Sequence, residues 1–172
     1  MKENILISGG AGAIGSNLAN KLSPLYSVFV IDNLVSGNLR FLNKNITIIR
    51  NDIRDMEVLE SLFKKHKFKI VFHLAANFAN QNSVDNPILD AEVNILGTIN
   101  LLKISHYYNI KKFIYTSSSC VYGNSNSASL ESDIGELETP YAISKLTAEF
   151  YCKYFSDYFN LNCISLRLFN SY

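Results

Sequence analysis

The stretch Ile5-Leu6-Ile7-Ser8-Gly9-Gly10-Ala11-Gly12-Ala13-Ile14-Gly15 decides the fold of this chain. Its apolar start closes on Ser8-Gly9 and reads as a short buried strand. Helical spacing of apolar residues then begins inside the glycines and runs through Ile14, Leu18, Ala19 and Leu22, stopping before Pro24. A strand, a glycine loop and a helix in this order form a phosphate cradle. The missing side chains let backbone approach a pyrophosphate, and the helix N-terminus offers free N–H groups with a partial positive charge. The expected contacts come from Gly9, Gly12, Ala13, Ile14 and Gly15.

Working outward, residues 28–31 make a second apolar run, and Asp32 ends it, twenty residues past Gly12. A carboxylate at that position accepts hydrogen bonds from an adenosine ribose. Its charge repels a 2′-phosphate and no arginine follows it closely, so NAD is expected over NADP. Further apolar runs at 46–49, 70–72, 113–115 and 163–166 read as strands. Asp52-Ile53 follows the third of the six, where its place in the series suggests an adenine contact. Residues 56–65 make an amphipathic helix. Asn86-Pro87 offers an N-cap followed by Pro at N1, opening a long helix to about Tyr108. Leu89, Val93, Leu96, Ile99, Leu102 and Ile104 make that helix largely buried by expectation. Thr139-Pro140 starts another helix to about Phe159, and the polar stretch from Gly123 to Glu138 reads as a surface loop. Strands apolar on both faces, alternating with helices, predict a doubly wound α/β fold of Rossmann type, its parallel sheet covered on both sides. The whole of 1–172 reads as a single NAD-binding domain.

Composition excludes several classes. Sixteen basic residues stand against 15 acidic ones, and the pairs Lys64-Lys65 and Lys111-Lys112 are isolated, so no nucleic-acid footprint is expected. No apolar run approaches the roughly 18 residues of a membrane span. Cys120, Cys152 and Cys163 are odd in number and widely spaced, which argues against a disulfide framework or a metal site and for a cytoplasmic setting.

The second motif is chemical. Tyr141 and Lys145 are four apart at the start of a capped helix, so they share one face. Thr116-Ser117-Ser118-Ser119 ends the fifth strand, and sites in open α/β sheets form beyond the carboxyl ends of strands. A hydroxyl there, with Thr116 beside the cofactor, can converge with the Tyr–Lys pair. Hydride transfer from a carbinol carbon needs a base for the hydroxyl proton, and tyrosine at pKa about 10 is a poor one at neutral pH. A nearby ammonium and the nicotinamide charge are expected to stabilise phenolate. A lowering of about 3 units corresponds to roughly 4 kcal/mol.

With these motifs stand Asp32-Asn33-Leu34, His73-Leu74-Ala75-Ala76, Asn94-Ile95-Leu96-Gly97-Thr98, Ser118-Ser119-Cys120-Val121-Tyr122-Gly123, Tyr141-Ala142-Ile143-Ser144-Lys145 and Arg167-Leu168-Phe169-Asn170, all in order. The set resembles the extended short-chain dehydrogenase/reductases, and most of all the family's nucleotide-sugar 4-epimerases. That resemblance implies Ser118 as the serine on the sugar oxygen, Tyr141 as the base, and Lys145 as its activator and a ribose ligand. It implies cofactor contacts from Asn33, Leu34, Ser36, Gly37, the segment from Leu74 through Ala75 and Ala76 to Phe78, Asn94 and Phe169, and a substrate contact from Asn170. It also implies a homodimer through paired helices, and a smaller C-terminal substrate domain that is absent here, the chain reading as a fragment that ends in mid-motif. The implied substrate is a nucleotide sugar, with a UDP-sugar favoured.

Three functions remain open at this stage. One is a 4-epimerase working through a 4-keto sugar on tightly held NAD. The second is a relative with other chemistry: a 3,5-epimerase using Cys120, a decarboxylase, a dehydratase or a reductase. Dehydration is disfavoured, because Ser119-Cys120 stands where 4,6-dehydratases carry Asp-Glu. The third is a non-catalytic NAD-binding domain. His73 reads as a packed, hydrogen-bonded histidine, and His66 and His106 as helix-surface residues.

Overall fold

The computed structural model describes residues 2–78, 80–124 and 128–170. Six parallel strands form one sheet: β1 Asn4–Ser8, β2 Ser27–Asp32, β3 Thr47–Arg50, β4 Ile70–His73, β5 Lys112–Ser118 and β6 Cys163–Leu168. Their order is β3-β2-β1-β4-β5-β6. The register runs Ile5↔Val28 and Ile5↔Ile70 on the two sides of β1. Strand order reverses between β1 and β4, and the crevice above their C-terminal ends is where such sheets take ligands. This is the predicted doubly wound arrangement.

The helices are α1 Ala13–Leu22, α2 Met56–His66, α3 Asn80–Asp85, α4 Pro87–Ala91, α5 Gly97–Tyr107 and α6 Pro140–Phe159. The last helix is capped as expected, with Ala142 N–H donating to Thr139 Oγ1 at 3.2 Å. Asn86 differs from expectation. Its side chain makes no capping bond, and Pro87 at the first position is what opens α4. Between α4 and α5 the helix widens into a π-turn over Glu92–Leu96. Neither that turn nor the short α3 follows from apolar spacing. The loop expected from Gly123 to Glu138 is non-helical over its described residues, with 125–127 lying outside them, as Tyr172 does.

The core is unequal on the two faces of the sheet. One face packs Leu6, Phe29, Val71 and Phe113 against Leu59 and Phe63 of α2, Leu101 and Leu102 of α5, and Ala148 and Cys152 of α6. The other face gathers Ile5, Ile7, Val28 and Val30 under Ala19 of α1. The expectation of a sheet covered on both sides holds for β1, whose Ile5, Leu6 and Ile7 are fully buried. It does not hold for the edge strand β6, where Ile164 and Leu166 are exposed. No helix among the described residues lies over them. Leu89 and Leu96, expected inside, are exposed too, because only one side of the long helix meets the sheet.

Candidate active site

One cavity of about 780 Å³ opens above the C-terminal ends of β1, β2, β4 and β5. Its first wall is the glycine loop. Gly9 sits at φ +69°, a left-handed conformation that glycine adopts without strain, and its N–H donates to Ile31 O at 2.9 Å. A Cβ at Gly15 would stand 2.3 Å from Gly9 O, so the loop and α1 close on each other only without side chains. At Gly12 an added Cβ would meet nothing closer than Gly9 O at 3.3 Å, so that position is bare toward the cavity. No side chain caps α1 and its first turn holds no acid. Its leading N–H groups are therefore left for an anion.

Asp32 stands beside this loop, nearly buried. One carboxylate oxygen accepts from Ala11 N–H and the other from Leu34 N–H, both at 2.9 Å. Each oxygen keeps a lone pair for a hydroxyl donor. Further out, Asn33 donates to Asp52 at 2.9 Å, and Arg54 grips Asp52 while also bonding Glu92. Burial works against the Asp52 charge, but the bonds from Arg54 and Asn33 prevail and hold the carboxyl below its ordinary value.

The opposite wall carries the reactive side chains. Strand β5 delivers Thr116, Ser117 and Ser118, β4 leads into Leu74, Ala75 and Ala76, and the first turns of α6 present Tyr141 and Lys145. Ser118 Oγ accepts Cys120 N–H at 3.2 Å and stands near enough to the Tyr141 hydroxyl to favour its ionised form. Lys145, 3% exposed, donates to Thr116 O at 2.9 Å. Burial pushes its ammonium down to about 8, against the pull of the Asp90 carboxylate.

The electrostatics of Tyr141 differ from the sequence expectation. Burial raises the phenol, the Ser118 hydroxyl lowers it, and the net direction is upward. Lys145 Nζ lies 5.6 Å from the Tyr141 ring centre and is engaged by the Thr116 carbonyl, so the chain's own charges do not create phenolate.

Most residues singled out in the sequence line this one cavity, including Ser36, Ile53, Phe169 and Asn170. Leu34, Gly37 and Asn94 do not. Leu34 and Gly37 act from behind, against Asp32: a Cβ on Gly37 would stand 2.8 Å from its carboxylate. Asn94 is buried and clamps the backbone of Asn77, accepting its N–H at 2.8 Å and donating to its carbonyl at 3.1 Å. Sequence reading missed Asn51, Asn80 and Val93, which also line the cavity and carry no motif, and gave no role to Leu168, which lines it too. It missed Ser83 as well, whose Oγ accepts Tyr141 N–H at 3.1 Å and fixes the start of α6 from α3. Cys120 lines the cavity, its thiol 3.9 Å from Asn80 Oδ1. His73 is the packed histidine expected. Its Nδ1 is 2.7 Å from Ser8 Oγ and its Nε2 2.8 Å from Thr98 Oγ1, and burial depresses its pKa to about 3. Among the described residues no group of three His, Cys, Asp or Glu could hold a metal ion, and no helix is long and apolar enough to cross a membrane.

Comparison with known proteins agrees with this geometry. The family model described as NAD dependent epimerase/dehydratase family matches residues 5–172. UDP-glucose 4-epimerase of Halalkalibacterium halodurans is 35% identical over 169 residues, 97% of this chain and 50% of the relative. The Thermus thermophilus UDP-glucose 4-epimerase solved with NAD superposes with a TM-score of 0.91 at 34% identity, over 95% of this chain and 54% of that one. The Thermotoga maritima UDP-glucose 4-epimerase solved with UDP-glucose gives 0.91 at 39%, with the same coverage. The chain spans about half the length of the relatives it matches.

Proposed function

This chain belongs to the NAD dependent epimerase/dehydratase family, and we propose that it forms the cofactor-binding and catalytic part of a nucleotide-sugar 4-epimerase. The carrying observation is that a bare glycine cradle, a ribose-reading carboxylate and a Ser118–Tyr141–Lys145 set meet in one cavity. The cavity fits NAD by its own chemistry. Gly12 is open, the α1 N-terminus is uncapped, and Asp32 retains acceptor capacity. Gly9, Gly12 and the first turn of α1 would hold the pyrophosphate, Asp32 the adenosine ribose, and Lys145 the second ribose.

Bound NAD would supply the two-electron oxidation and re-reduction at the sugar carbon. The residues of this chain manage the proton and the orientation. Tyr141 takes the hydroxyl proton as the carbinol becomes a ketone and returns it afterwards. Ser118 holds the same oxygen through its hydroxyl. Burial holds the phenol protonated in the chain alone, so the base becomes competent only when positive charge enters the cavity beside Lys145. Substrate class is carried over from relatives solved or named with UDP-sugars. Asn170 and Ser118 are the substrate contacts in this reading.

One observation supports a second reading: Cys120 lines the cavity close enough to Tyr141 to raise its phenol. A cysteine acid/base there would make the enzyme a 3,5-epimerase. Two experiments test the cofactor and the chemistry in turn. Calorimetry of this chain with NAD and NADP tests the cofactor, and tighter NADP binding would sink the assignment. That comparison is sharp because Arg50 on β3 stands in register with Asp32. Turnover of the full-length protein on a panel of nucleotide sugars tests the chemistry. Tyr141→Phe is expected to cost about 10²–10⁴-fold with NAD binding intact, and Cys120→Ala to be nearly silent. A dead Cys120→Ala enzyme with normal NAD affinity favours the 3,5-epimerase.

The reading includes a cytoplasmic setting, supported by three free thiols. It also includes a homodimer. Leu89 and Leu96 on one helix, and Phe150, Tyr151, Tyr154 and Tyr158 on α6, present apolar surface outward. A sedimentation profile that stays monomeric at micromolar concentration would count against it.

A further inference from the structure

Behind α6 lies a buried carboxylate that the proton chemistry does not use. Asp90, on α4, is 1% exposed. Its Oδ1 accepts from Asn94 Nδ2 at 2.8 Å. Asn94 also reaches Ser144 Oγ at 3.2 Å and clamps the backbone of Asn77 in the segment after β4. It sits in the middle of the π-turn, the one irregular turn of that long helix. Asp90, Asn94 and Ser144 thus join α4, the segment after β4 and the catalytic helix in one buried network.

The charges around Lys145 show what this network is for. From β5, the Tyr115 ring lies 5.1 Å from the ammonium and the Thr116 carbonyl accepts its proton. From α6 itself come Tyr141 and Cys152, and from β4 comes His73. Burial raises the hydroxyls of Tyr115 and Tyr141. A bond to Cys163, together with burial, raises the Cys152 thiol, so all three are neutral at neutral pH. His73 is neutral because burial depresses it. Asp90 is therefore the one negative group facing Lys145 among the described residues. Burial raises its carboxyl, and Ser144, the Lys145 ammonium and Asn94 work against that rise. A buried ammonium without a counter-charge is costly and tends to lose its proton.

We infer that Asp90 is a positioning residue for the Tyr141–Lys145 pair, supplying the buried counter-charge that keeps Lys145 an ammonium and, through Asn94 and Ser144, tying the catalytic helix to the segment after β4. Its importance rests on reading Lys145 as catalytic, but the charge coupling between the two buried groups does not. The two can be tested apart.

The test is nuclear magnetic resonance titration of this chain carrying carbon-13-labelled lysine, with the Lys145 signal assigned by its loss in Lys145→Met. The wild-type midpoint is expected at about 8. In Asp90→Asn, which keeps the shape and an acceptor for Asn94, the midpoint is expected to fall by about one unit or more. A merely structural role would leave the midpoint in place, and that result overturns the inference. Coupling is reciprocal. If Asp90→Asn fails to fold, the Asp90 carboxyl is followed instead, and its midpoint must rise in Lys145→Met relative to wild type. An unmoved Asp90 overturns the inference equally. NADH titration of the wild-type chain, run alongside, reports on the functional reading alone. Failure to bind removes that reading without touching the coupling.

Discussion

At one end of the cavity, Gly9 to Gly15 and Asp32 come from a single β–α–β unit and present backbone and one carboxylate. At the other end, Ser118, Tyr141 and Lys145 come from β5 and α6, supported by Ser83 of α3 and by Asp90 and Asn94 of the long helix. The first end is rigid because its atoms leave no room: Gly9 and Gly15 interlock at distances no side chain could share. The second is set by charge and hydrogen bonding among groups far apart in sequence. A site built of backbone fails all at once when it is altered. A site built of buried polar side chains can lose a charge and keep its shape.

Three substitutions press on that contrast. The largest effect belongs to the backbone end. Gly15→Val places side-chain atoms against Gly9 O and the Gly10 backbone, neither of which can move freely. Loss of roughly 3 kcal/mol or more is expected, read as a collapse of the thermal transition by circular dichroism. Gly12→Ala meets only a 3.3 Å contact and should fold within about 1 kcal/mol of wild type. Gly12 lines the cavity, so its new methyl group should crowd a bound pyrophosphate and NAD affinity should drop about tenfold or more by calorimetry. If Gly12→Ala unfolds the chain, or binds NAD as wild type does, the division between closing the loop and receiving a phosphate is wrong.

The smallest effect lies at the seam between the two ends. His73 on β4 links Ser8 of β1 to Thr98 of α5. Thr98 uses its only proton on Asn94 O, 2.6 Å away, so it accepts from Nε2–H, and the bare Nδ1 accepts from Ser8. That arrangement requires the neutral ring. Its folded pKa, about 3, is below the ordinary 6.5, so the unfolded chain binds the extra proton between those values. Stability from His73 is full above about 6.5 and falls with pH below it, by at most about 1.4 kcal/mol per unit. Urea unfolding at pH 7 and pH 5.5 should show wild type losing about 1 kcal/mol more than His73→Gln. Asp90 titrates in both proteins and cancels in the difference. Equal losses in the two proteins would mean that His73 is charged in the folded state.

The legible and illegible parts of the site divide along the same line. Glycines at fixed spacing after an apolar run, and a carboxylate ending the next strand, are local patterns, and Gly9, Gly12, Gly15 and Asp32 were readable from them. The i, i+4 spacing of Tyr141 and Lys145 was readable for the same reason. Asn94 was readable as a motif but not in its place: the fold turns it toward Asn77 rather than the cavity. Ser83 and Asp90 carried no local signal for the site, since Tyr141 and Lys145, on which they act, are 58 and 55 residues away and only packing joins them. The burial of Leu89, Leu96, Ile164 and Leu166 was misjudged because apolar spacing marks a face without saying what covers it.

By itself the sequence determined the strand–helix alternation, the cradle and the residue types that can move a proton beside a dinucleotide. Those depend on backbone conformation and spacing over a few residues. The tertiary structure alone decided that Tyr141 is held protonated, that Lys145 leans on Thr116 and faces Asp90, and that β6 keeps an open face. Those depend on burial and on distances between segments, because the free energy of a charge is set by what surrounds it and not by its neighbours in the chain.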